Sequence, residues 1–165
     1  MITIIKAEEL TDQSFAPYGT ILNADRVTPK IKEEIFTFWD GLAELDIKGK
    51  TTVALLEVYP REPKFSKLER HARTEEVFFA LDRDVIALVG GPTPSADLPD
   101  LRTVKAFRLE AGKGVFLREG VWHWIPHPLG GKARLIVIFR KGTPEEDLDI
   151  KDVKEKQGIE FHIDV

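Results

Sequence analysis

Residues 112–128 read GKGVFLREGVWHWIPHP, and the way this stretch folds decides the architecture. Gly114–Leu117 is a short apolar run, Gly120 supplies a tight turn, and polar and apolar residues alternate again from Trp122. Side chains on a strand point to opposite faces in turn, so His123 projects away from both Trp122 and Trp124. Two of the chain's four histidines, His123 and His127, lie here beside two tryptophans. The stretch therefore reads either as a hairpin carrying catalytic or metal-binding groups, or as a well-packed sheet edge.

The flanking chain has the same texture. From Thr51 onward the segments TTVALLEVYP, KFSKLERH, EEVFFAL, DVIALVG, TVKAFRLE and RLIVIFR are short and rich in Val, Ile, Leu and Phe. Pro60, the Asp82–Asp84 turn, the loop GGPTPSADLPD, Gly112 and Gly130–Gly131 punctuate them. Earlier, residues 3–6 read as a short edge strand. LTDQSFAPYGTIL reads as a helical turn capped by Thr11 and ended by Pro17 and Gly19. Near the end, TPEEDLDIKDVKEKQG (143–158) reads as one polar helix with acids in its first turns and Gly158 as its cap, and IEFHI as a last strand. Many short strands with helices only near the ends predict an all-β sandwich or barrel with a few short peripheral helices. Residues 1–165 suit a single domain with one core.

Composition narrows the function classes. Hydrophobic residues make up 42% and charged residues 32%, with a net charge of −4 and both signs dispersed. No basic patch calls for nucleic acid, and no polybasic segment or apolar run of roughly 20 residues calls for a membrane. The N-terminal stretch lacks a signal-peptide pattern, and a cytoplasmic location is expected. The absence of cysteine excludes disulfides, thiolate metal sites and a cysteine nucleophile. Any metal must be held by His, Asp or Glu, which suits a divalent transition metal. One Asn, two Gln and one Met against many Lys and Glu is a thermophile signal.

Two clusters carry candidate chemistry. In LERHARTEEVFFAL, Glu69 and His71 are two apart and share a strand face, and Glu75 and Glu76 lead into an apolar strand. Parity alone leaves open which of Glu75 and Glu76 faces inward. The second cluster brings His123 from another strand. Convergence of imidazole and carboxylate from separate segments is what a divalent ion requires. Arg70 and Arg118 are candidates for a bidentate hold on a substrate carboxylate. His127, between two prolines, reads as a supporting partner or an exposed loop residue. His162 reads as structural or exposed.

These clusters resemble the two motifs of the cupin family, small β-barrels of the jelly-roll kind. The first motif maps to Glu69, His71 and Glu76, and the second to Gly112, Gly120 and His123, with Arg118 standing where proline is usual. Glu69 stands where most metal cupins have histidine. The ordered set Phe15 and Tyr18-Gly19, LERH, PDLRTVKAF, GVFLREGVWH followed by HPL, and VIFRKG is similar, over most of residues 10–143, to the ureidoglycolate lyase family. This chain carries Trp39 and Arg118 where members often carry histidine. The resemblance implies a cupin-like jelly-roll barrel that cleaves ureidoglycolate, a small carboxylate substrate, to glyoxylate and urea. It implies Glu69, His71, Glu76 and His123 around the reacting centre. They would be ligands of a divalent ion (Ni, Zn, Mn or Fe) or, without metal, would include His71 or His123 as base with Arg118 or Arg70 as clamp. A homodimer is expected, since cupins commonly pair. Two alternatives stay open: another metal-dependent cupin enzyme on a small acid or sugar, and a non-catalytic cupin that binds a small ligand.

Overall fold

Strict alternation shapes the strands that face solvent on one side. Ala133–Arg140 buries every second residue, whereas Val85–Gly90 is buried throughout and must therefore be covered on both faces. The computed structural model describes all of residues 1–165. In chain order the elements are β1 (Ile2–Glu9), α1 (Asp12–Phe15), β2 (Gly19–Leu22), β3 (Ile31–Lys32), β4 (Thr37–Phe38), β5 (Thr51–Val58), β6 (Lys64–Phe65), β7 (Lys67–Arg70), β8 (Glu76–Ala80), β9 (Val85–Gly90), β10 (Lys105–Leu109), β11 (Gly114–Leu117), β12 (Trp122–Pro128), β13 (Ala133–Arg140), α2 (Thr143–Glu146), β14 (Asp149–Asp152), α3 (Val153–Gln157) and β15 (Glu160–Asp164). No helix is long and apolar enough to cross a membrane.

The strands form two main sheets, one ordered β14-β7-β12-β9-β10-β1-β15-β6 and the other β2-β11-β8-β13-β5. Phe78, Phe107, Leu109, Val115, Leu117, Leu135 and Val137 fill the space between them. The opposite face of the longer sheet carries a second cluster that joins Leu68, Ile86, Leu88 and Trp122 to Phe65, Phe161 and Ile163. Leu68 on β7 and Phe161 on β15 meet there although β12, β9, β10 and β1 separate their strands, so this sheet curls back on itself. The result is a curled, mostly stranded barrel with three short helices, one of the two architectures the strand pattern allows and the jelly-roll kind that the resemblance implies.

Two expectations are corrected. Residues 3–6 do not form an edge: β1 lies inside the longer sheet, parallel to both β10 and β15. Residues 143–158 are not one helix. Asp149–Asp152 pairs as β14 along the exposed edge of β7, residue 149 opposite Arg70 and 150 opposite Glu69. Covering a bare sheet edge outweighs the weak helix preference of this charged segment. Asp152 then caps α3, its side chain accepting from the Glu155 N–H.

Candidate active site and metal centre

β7 and β12 are neighbours, and Glu69 is the direct cross-strand partner of His123. Paired residues share a face, and here it is the face toward the second sheet. His71 follows β7 by one residue, and its carbonyl accepts from the Gly120 N–H at 2.8 Å. Gly120 turns at φ 78°, a left-handed conformation that glycine adopts without a side-chain penalty. Glu76 opens β8 on the opposing sheet, pairing with Leu117 of β11. The two sheets thus bring four groups to one point. His123 Nε2 lies 2.9 Å from Glu76 Oε2 and 3.6 Å from Glu69 Oε1, and His71 Nε2 lies 3.6 Å from Glu76 Oε2. Three of the four, His71, Glu76 and His123, are buried, while Glu69 is half-buried. Glu76 is therefore the inward carboxylate. Glu75 faces away, its Oε2 accepting from the Asp46 N–H.

Each imidazole is held by its far nitrogen. His71 Nδ1 lies 2.6 Å from the Asp147 carbonyl and His123 Nδ1 lies 3.0 Å from the Val121 carbonyl. A carbonyl only accepts, so both Nδ1 atoms carry the proton and both Nε2 atoms turn toward the shared centre. His123 Nε2 and Glu76 Oε2 are buried 2.9 Å apart, an ion pair when the ring is charged but off the line a good hydrogen bond requires, and neither has another hydrogen-bond partner. Buried polar atoms are rarely left so, and an ion is one thing that satisfies them together. Ligands about 2.0–2.2 Å from one ion sit roughly 3–3.5 Å apart, which matches these separations. Glu69, His71 and His123 alone offer ligand atoms within 4.8 Å of one another. The donor set, imidazole nitrogen with carboxylate oxygen, suits a divalent transition metal.

Charge in the cluster is strongly coupled. Burial disfavours the charged form of His123, but the Glu76 carboxylate, then Glu69, outweigh it and push the ring up to about 9. Burial lifts the Glu69 carboxyl above its ordinary range, against the pull of His123 and His71. Above the cluster lies a cavity of about 380 Å³. Glu69, His71 and Glu76 form its polar end, and Leu56, Phe78, Ile125, Val137, Phe139 and Leu148 are prominent in the rest of its wall.

Neither arginine reaches this cavity. Arg70 sits between Glu69 and His71, so strand alternation turns it to the other face. There it stacks over Trp122 at 4.5 Å, pairs with Asp149 at 2.9 Å and donates to the Thr93 and Ala96 carbonyls. Arg118 donates to the Ala16 and Pro17 carbonyls. Both guanidinium groups are committed elsewhere, and the carboxylate clamp expected of them is absent from the cavity. His127 is neither a partner of the cluster nor exposed. The pairing of β12 with β9 slips by one residue between Trp124 and His127, which places His127 opposite Ile86 on the far face. Pro126 has no N–H to offer the ladder, and the bulge absorbs it. His127 packs against Phe65 instead. His162 lies on β15 and pairs with Glu160 at 2.9 Å.

One contributor was not legible in the sequence. Asp147 is buried, gives its carbonyl to His71, and accepts with its carboxylate from the Ala72 and Arg73 N–H groups at 2.9 and 2.8 Å. In the sequence it is one acid among the many of 145–155, and no local signal marks it.

Residues 2–160 match the family model described as ureidoglycolate lyase. Ureidoglycolate lyase 1 of Rhizobium meliloti is 28% identical, covering 99% of this chain and 92% of its own. The ureidoglycolate lyase of Schizosaccharomyces pombe is 25% identical, covering 91% and 92%. Among solved structures, a 3,4-ketoisomerase from Helicobacter canadensis superposes with a TM-score of 0.48 at 18% identity, over 78% of this chain and 87% of that one. The chain belongs to the ureidoglycolate lyase family.

Proposed function

We propose that the protein cleaves ureidoglycolate to glyoxylate and urea, and that Glu69, His71, Glu76 and His123 are the groups that do it. The observation that supports this most is the convergence of those four side chains, two with unpartnered buried atoms, at the closed end of a cavity in a member of this family. Glu69, His71 and His123 form the holding set for a divalent ion, and Glu76 joins it from the opposing sheet beside the two imidazoles. Such an ion, when bound, supplies a Lewis acid that polarises substrate oxygens.

The proton work falls to Glu69. It is the most exposed of the four and lines the cavity. Glu69 takes the proton of the substrate hydroxyl as the C–N bond breaks and the carbon–oxygen double bond of glyoxylate forms. It returns the same proton to the departing nitrogen, which leaves as urea, so the enzyme ends unchanged. His71, fixed by the Asp147 carbonyl and stacked parallel to Phe139, and His123, fixed by Val121, keep the centre rigid.

Kinetics of His71→Ala, His123→Ala and Glu69→Gln test the assignment. Both alanine variants should lose at least a hundredfold in kcat/KM, and Glu69→Gln should lose mainly in kcat. Full activity in both histidine variants would overturn it.

A further inference from the structure

The wall of the cavity is mismatched to a small substrate that is polar throughout. Its ionisable side chains are gathered at one end. Beyond them, apart from Thr143, whose hydroxyl donates to the Arg140 carbonyl, the surface is aliphatic and aromatic, and Ile125 and Leu148 remain 40% and 44% exposed. Exposed leucines and isoleucines gathered beside a polar cluster are what an amphipathic small molecule covers on binding. A ureido group laid along them leaves its N–H and carbonyl groups without side-chain partners, whereas a hydrocarbon group there loses nothing and gains burial.

We infer that the cavity takes a second class of ligand: 2-hydroxy- or 2-oxo-carboxylates bearing a branched aliphatic substituent. The acid head sits at Glu69, His71 and Glu76, and the substituent lies along Leu56, Ile125 and Leu148. This rests on the reading that the cluster, with its divalent ion, holds the head of a 2-hydroxy acid. It adds a preference that the reaction with ureidoglycolate does not require.

The test is direct binding, measured by calorimetry on the protein supplied with Mn²⁺, using glycolate, lactate, 2-hydroxybutyrate and 2-hydroxy-4-methylpentanoate. Affinity should rise about fourfold per added carbon, the equivalent of about 0.8 kcal/mol for one buried methylene, and so roughly 60-fold from lactate to the branched acid. Ile125→Asn with Leu148→Asn, both at exposed positions of the wall, should flatten the series. A flat or falling series in the wild type would overturn the inference, as would an unchanged slope in the double variant. Ureidoglycolate turnover is assayed alongside. Turnover without chain-length gain overturns this inference alone. Chain-length gain without turnover overturns the lyase assignment and leaves this inference standing. Loss of both overturns the shared reading of the cluster.

Discussion

Protons and a metal ion compete for His123, and the size of that competition follows from its surroundings. In the metal-free protein the ring is held at about 9 by Glu76 and Glu69 despite its burial. An ion at Nε2 must displace that proton. At pH 7 only about one ring in 100 is free of it and at pH 9 about half are, so apparent affinity should rise about 50-fold between them. Calorimetry in two buffers of different ionisation enthalpy should show close to one proton released per ion bound at pH 7. The same shift has a stability consequence with a definite sign. The folded pKa exceeds the unfolded value of 6.5, so the charged ring stabilises the metal-free fold fully below pH 6.5. That contribution is lost as pH rises through about 9. The shift of about 2.5 corresponds to about 3 kcal/mol, a fall in Tm on the order of 6–12 °C for a chain of this size. Glu69, also raised, contributes with the same sign from about pH 4.5 upward. Thermal melts of chelated and ion-loaded protein from pH 6 to 9.5 provide the assay. The chelated protein should lose stability and the loaded protein should hold it. Affinity independent of pH, with no proton released, would refute the geometry given to His123.

Three further outcomes are expected. Asp147→Ala removes the carboxylate that holds the backbone after His71; it should weaken metal binding 10- to 100-fold, read by competition with a chelating dye, with Asp147→Asn retaining more. Gly19→Ala places a Cβ 1.7 Å from the Phe116 carbonyl oxygen, a backbone atom that cannot step aside; denaturant unfolding should show a loss of at least about 3 kcal/mol as β2 separates from β11. Trp122→Ala empties a fully buried indole site beneath Arg70; the expected cost is about 3–5 kcal/mol in the same unfolding assay.

Much of the fold was legible because burial acts on alternate residues. The runs at 51–58, 76–80, 85–90, 105–109 and 133–140 announced their strands through Val, Ile and Phe, and Thr11 announced the cap of α1. The same period-two rule put Glu69 and His71 on one face. Applied once more, it also turns Arg70 away, so that correction was available in the sequence. The direction of Arg118 was not, because it lies just past β11, where the turn and not the strand sets it. His127 was hidden for a different reason. A one-residue bulge at Pro126 reverses parity, and bulge positions depend on the partner strand. The interior place of β1 and the strand at 149–152 depend on which distant strand offers an open edge, which no local pattern encodes. Asp147 acts mainly through a carbonyl and through contacts to distant backbone, and neither leaves a trace in residue type.

The most direct test of the whole account is product analysis with ureidoglycolate as substrate. Wild-type protein should release glyoxylate and urea in equal amounts without ammonia, and His123→Ala should release neither above the uncatalysed rate. Ammonia in place of urea, or no glyoxylate from the ion-loaded wild type, would contradict it.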